Sequence, residues 1–91
     1  MAKISHIAVA VRSLSDAVPA YRKLLGVQEG KEEVIREQKV KAVFFPVGES
    51  KIELLQATGP DSPIAKFLER HGPGLHHIAI TVPDLRKTLE E

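Results

Sequence analysis

Ile4-Ser5-His6-Ile7-Ala8-Val9-Ala10-Val11 returns seventy-one positions later as Leu75-His76-His77-Ile78-Ala79-Ile80-Thr81-Val82. His6 falls on His77, and Leu14 falls on Leu85 at the same offset. One short chain thus holds, twice, an apolar strand led by a histidine and followed by a turn and a helix start. A fixed-offset repeat describes architecture before chemistry. Here it bears on chemistry too, because histidine is the commonest metal-ligating residue. Two equivalent strands that place two equivalent histidines near a local axis form the start of a metal site.

Outward from the first copy, residues 4–11 are nearly continuous in apolar type, with Ile and Val recurring, which predicts a strand covered on both faces. Ser13, Ser15 and Asp16 supply a helix start, and Ala17, Ala20, Tyr21, Leu24 and Leu25 follow at helical spacing up to Gly26. Pro19 is then expected in the first turn, where its missing N–H matters least. Residues 31–38 are strongly polar and fit either a strand with one solvated face or a loop. Residues 40–47 and 51–56 predict a hairpin about Gly48-Glu49-Ser50. Asp61 or Ser62 caps a second helix with Pro63 at its first position and Ile64, Phe67 and Leu68 on its apolar face. Gly72-Pro73-Gly74 ends it, and the second copy begins: a strand over 75–82, a turn at Pro83-Asp84 and a helix from Leu85.

The order β-α-β-β-β, linking helix, β-α divides the chain into a first module over 1–57, a linking segment over 58–74 and the start of a second module over 75–91. A second module of equal size would run well past Glu91. The sheet is therefore expected to be incomplete over these residues, with its missing strands in a further segment or on another chain. An open sheet edge invites such pairing.

Composition narrows the partners. The 91 residues are 43% hydrophobic and 27% charged with a net charge of +1, as in an ordinary soluble domain. Basic residues are dispersed, so neither a nucleic-acid track nor a membrane-binding field is expected. There is no cysteine, which excludes disulfides and thiolate ligands. No apolar run approaches the ~18 residues of a membrane span, and the start lacks the layout of a signal peptide, so a cytoplasmic location is expected. No Walker or dinucleotide fingerprint and no nucleophile elbow occur.

Beyond His6 and His77, Glu53 is a carboxylate within the apolar strand Ile52-Glu53-Leu54-Leu55. Strand alternation points it away from Ile52 and Leu54, either into solvent or into a cup as a third ligand. His76, adjacent to His77, should point to the other face and serve at most a supporting hydrogen bond. His71 falls at a helix C-terminus, which favours a partly charged imidazole, and carries no assigned role. Glu29, Glu32, Glu33 and Glu37 read as a solvated acidic stretch. Gln38 and Lys39 could reach a ligand, though nothing demands it. Imidazole with carboxylate suits Co2+, Mn2+, Ni2+, Zn2+ or Fe2+, and residue types do not choose among them.

Four stretches carry a family resemblance: His6 to Val11, Pro46 to Leu55, Asp61 to Glu69, and Gly74 to Ile80. Together they resemble the methylmalonyl-CoA epimerase family of the vicinal oxygen chelate superfamily, which includes glyoxalase I. Asp61-Ser62-Pro63-Ile64-Ala65-Lys66-Phe67-Leu68 followed by Leu75-His76-His77-Ile78-Ala79 is the most specific part. The resemblance covers essentially the whole chain. It implies an α+β fold of paired βαβββ modules around a divalent metal, with the second module truncated here. It implies His6, Glu53 and His77 as ligands, a homodimer, and an acyl-CoA substrate, methylmalonyl-CoA, epimerised at the carbon alpha to the thioester. The family's last ligand, a glutamate that also acts as base, has no counterpart up to Glu91, so no catalytic base is assigned. Competing expectations are a glyoxalase-type lyase or isomerase and a non-catalytic βαβββ binding or dimerisation module.

Overall fold

The structure, a computed structural model, describes residues 2–28 and 30–82. The expected turn at Pro83-Asp84 and the helix from Leu85 lie outside these residues. In chain order the elements are β1 (Lys3–Ala10), α1 (Leu14–Leu25), β2 (Lys31–Ile35), a 3-10 turn (Arg36–Gln38), β3 (Val40–Val47), β4 (Ser50–Ala57), α2 (Pro63–His71) and β5 (Gly74–Thr81). The class is α+β: one βαβββ unit, a connecting helix and a fifth strand.

The five strands form one sheet in the order β2-β3-β4-β1-β5. β2, β3 and β4 form an antiparallel meander, β4 runs parallel to β1, and β1 pairs antiparallel with β5. The polar stretch 31–38 resolves into both of its alternatives, a strand followed by a single 3-10 turn. Lys39 then takes a left-handed conformation, φ 54°, and turns the chain into β3.

Each helix covers a different face. α1 lays Leu14, Ala17, Val18, Tyr21 and Leu25 over Val43, Phe45 and Leu54. α2 lays Ile64, Phe67 and Leu68 over the opposite face, against Ala8, Ala10, Val40, Ala42 and Leu55. The caps follow the expected chemistry. Ser13 Oγ accepts from the Asp16 N–H at 3.3 Å, and Gly26 closes α1 with φ 68°. Ser62, fully buried, accepts from the Ile64 N–H at 3.2 Å, which leaves Asp61 free to pair with Lys39.

Two expectations are corrected. Pro19 is the sixth residue of α1, not a first-turn residue, because the Ser13 cap starts the helix at Leu14. Its missing N–H would have served the carbonyl of Ser15, and both residues lie on the exposed side. Water can satisfy that carbonyl there. The first histidine strand is also not covered on both faces along its length: only Ala8 and Ala10 of β1 are buried, and Ile4 is 43% exposed. On β5, an edge strand among the described residues, Leu75, Ile78 and Ile80 are 55%, 48% and 62% exposed.

Candidate metal centre

Strand pairing brings the site together. Across the sheet, Phe44 lies opposite Glu53, Glu53 opposite Ala8, and Ala8 opposite His77. Residues in such a row share a face, and His6, two positions from Ala8, shares it as well. That is the face carrying α2. The row next to it, Ala42-Leu55-Ala10, is sealed beneath α2, so Glu53 and the histidines stand at the rim of the covered core.

The β1–β5 register explains why the repeat meets itself. Ile7 pairs with Ile78, its own equivalent in the repeat, while His6 pairs with Ala79 and Ala8 with His77. A local two-fold axis therefore passes between Ile7 and Ile78, and it carries one histidine onto the other. The register shifts once between Ile4 and His6 and once between Ala8 and Val9. Each shift is a bulge. The extra residue is Ser5 on β1 and His76 on β5, positions that are again repeat equivalents. Bulges re-aim neighbouring side chains and are common beside active sites.

The two rings meet through their Nε2 atoms, 3.2 Å apart, and Glu53 Oε1 lies 3.8 Å from His6 Nε2. One ligand atom from each of the three residues lies within 4.8 Å of the others. Donors held about 2.0–2.2 Å from one ion sit roughly 3–4 Å apart, so the 3.2 and 3.8 Å spacings about His6 suit one divalent cation, which the three residues could hold. Behind the rings, His76 Nδ1 stands 2.8 Å from His77 Nδ1, and Ser5 Oγ stands 3.5 Å from His6 Nδ1. Both imidazoles thus turn Nε2 inward and Nδ1 toward the bulge residue before them.

Glu53 does not face solvent. It is 6% exposed, and burial raises its pKa, opposed by His6 and His77 and assisted by the nearby charge of Glu33. A carboxylate kept short of water beside two imidazoles gains most by meeting a cation. His76 is corrected as well: the bulge breaks alternation, so it lies on the site's face, its ring 5.0 Å from that of Phe67 on α2. Burial foremost, and then His77, lowers the His76 pKa and so disfavours its charged form. His71 sits in the last turn of α2, its ring 5.0 Å from Phe67 and apart from the centre. Lys39 is engaged by Asp61, and Glu32 by Lys41.

A cleft of about 300 Å³ adjoins Glu53, lined by Gly30, Lys31, Glu33, Phe44, Pro46 and Lys51. Lys51 Nζ lies 5.9 Å from the Phe44 ring centroid. Sequence reading passed over Lys51, although its place two residues before Glu53 on one strand was a usable signal. Glu33 is exposed, as a solvated acidic stretch predicts, and it borders this cleft from β2.

Comparison with known proteins bears on the family and the fold. The family model of the glyoxalase/bleomycin resistance protein/dioxygenase superfamily matches residues 5–91. An uncharacterised protein of Bacillus subtilis is 41% identical over 90 residues, which are 99% of this chain and 64% of that protein. The human mitochondrial methylmalonyl-CoA epimerase is 38% identical over 86 residues, 93% of this chain and 49% of that enzyme. A Streptomyces coelicolor methylmalonyl-CoA epimerase variant, solved with 2-nitronate-propionyl-CoA, superposes with a TM-score of 0.83 at 32% identity, covering 97% of this chain and 65% of that one. The chain therefore spans between about half and two thirds of the length of these relatives. With its βαβββ unit and its repeated histidine strand, the chain belongs to the glyoxalase/bleomycin resistance protein/dioxygenase superfamily.

Proposed function

We propose that this chain supplies the metal-holding part of a methylmalonyl-CoA epimerase, with His6, Glu53 and His77 as ligands of a divalent ion. Residues 1–57 form the first module in this reading, 58–74 connect, and 75–91 open the second. The carrying observation is the convergence of three donors within 4.8 Å at the local axis. Relatives named as methylmalonyl-CoA epimerases support the substrate class.

Epimerisation inverts the carbon alpha to the thioester. A base removes its proton, the electron pair moves onto the thioester oxygen, and a proton returns on the opposite face. His6, Glu53 and His77 would hold the divalent ion, which when bound would supply Lewis-acid charge worth several kcal/mol to a developing oxyanion. The chain's own residues set the stage. His6 and His77 offer their Nε2 atoms, and Glu53 offers a carboxylate made more responsive to a cation by its burial. Glu53 is therefore read as a ligand and not the base; the family resemblance implies a base on the second module, with no counterpart up to Glu91. Lys31 and Lys51 border the adjoining cleft and match a substrate that carries a carboxylate and phosphates.

Equilibrium dialysis against Co2+ tests the reading. One ion per chain is expected, and none in the His6→Ala, His77→Ala double variant. Methylmalonyl-CoA should then shift the Co2+ absorption bands, while acetyl-CoA, which lacks the free carboxylate beside its thioester, should not. A chain that holds no ion, or equal responses to the two thioesters, overturns it.

A further inference from the structure

Behind the two Nε2 atoms lies a second repeated feature. Ser5 and His76 are the extra residues of two bulges, they are equivalent in the repeat, and each sets a polar atom against the Nδ1 of the histidine that follows it. His76 makes the closer contact, 2.8 Å against 3.5 Å for Ser5. A ladder without the bulge would send the residue before His77 to the far face, where it could not reach that ring. His76 also falls outside the converging donor set, because its Nδ1 meets the back of the His77 ring. Its own ring is braced edge-on by Phe67 of α2.

We propose that His76 is a positioning residue for His77, whose Nδ1–H donates to the Nδ1 of His76 and so leaves the Nε2 lone pair aimed at His6 and Glu53. The inference rests on the metal reading above for its consequence but not for its geometry. An imidazole has one proton to place when neutral, and the partner of one nitrogen decides the state of the other. With an acceptor fixed at 2.8 Å behind it, His77 presents an unprotonated Nε2, the acceptor of the 3.2 Å bond from His6 Nε2, before any ion arrives. Ser5 stands farther from His6, and its hydroxyl can donate to His6 Nδ1, which leaves His6 Nε2–H to donate to His77 Nε2 in the ion-free chain. The linking helix is thereby joined to the centre: Phe67 braces His76, and His76 orients His77.

Long-range 1H–15N NMR on the ion-free 91-residue chain, above the pH range in which histidine titrates, reads the tautomer directly. His77 should be the Nδ1–H form, and His76→Ala should move it toward Nε2–H. Outer partners of ligating histidines typically contribute ~10–100-fold to metal affinity. His76→Ala should weaken Co2+ binding by that factor, and His76→Gln, whose amide oxygen can accept, should recover part of it. Ser5→Ala should cost less than His76→Ala. An Nε2–H tautomer of His77 in the parent chain overturns the proposal, as does a His76→Ala variant that keeps both tautomer and affinity. If the parent binds no Co2+ but the tautomer responds as stated, the positioning role stands and the metal reading falls alone. The parent spectrum needs no variant, so poor folding of His76→Ala leaves the test intact.

Discussion

Burial holds the Glu53 carboxyl above its ordinary range in the ion-free protein, and the sign of this shift has a measurable consequence. A group that binds its proton more tightly when folded favours the fold at low pH. That contribution is complete below the unfolded carboxylate pKa and is lost as pH rises through the raised folded value. Glu53→Gln removes the penalty, so the ion-free variant should be more stable than the parent at neutral pH, and the difference should vanish in acid. Urea unfolding across that range measures it. The same variant should bind Co2+ far more weakly, so the substitution trades stability against function at one atom pair. His6 and His77 were legible because the repeat marked them. The face of Glu53 was not, because alternation says only that a side chain is opposite its neighbours. His76 was placed on the wrong face because a bulge has no local signature when its extra residue is an ordinary polar one.

Among the elements, α2 is the helix that reaches the site. It seals the core beside Glu53 and places Phe67 against His76. Its start depends on Ser62, whose buried hydroxyl accepts the Ile64 N–H. Ser62→Ala should cost about 1 kcal/mol, the usual value of such a cap. For a domain of this size that lowers Tm by roughly 4–8 °C, which calorimetry resolves. The residues of this helix declared it plainly: Asp61, Ser62 and Pro63 form a start signal, and Ile64, Phe67 and Leu68 make one face. Pro19 shows where such signals stop. Proline prefers the first turn, but the Ser13 cap begins α1 earlier, and the exposed side of the helix tolerates the lost hydrogen bond. Residues 31–38 were ambiguous for a related reason. Their pairing with Val40 to Phe44 is tertiary, and a polar strand has little pattern of its own.

At the scale of the whole molecule, β5 has one paired edge among the described residues, and the apolar side chains of Ile4, Leu75, Ile78 and Ile80 lie exposed around it. Such an edge recruits another strand. The 91-residue chain should therefore self-associate, with sedimentation equilibrium showing dimers at micromolar concentration. Ile80→Lys should shift the balance toward monomer, since charge on an edge opposes pairing. A monomeric parent would contradict this expectation. The α+β class was readable from the order of elements, whereas the uncovered state of the second histidine strand was not, because exposure depends on neighbours outside the strand.

The pairing of Ile7 with Ile78 reaches further than this molecule. Any two strands with the pattern of residues 4–11, packed antiparallel about an axis through that isoleucine, would set two histidines face to face. An isologous contact between identical chains meets that condition without design, because each copy offers the other the same surface. The centre thus needs no asymmetry to exist. A half-length ancestor pairing with its twin would already own both imidazoles, and fusion of the two copies into one chain would then free each half to diverge.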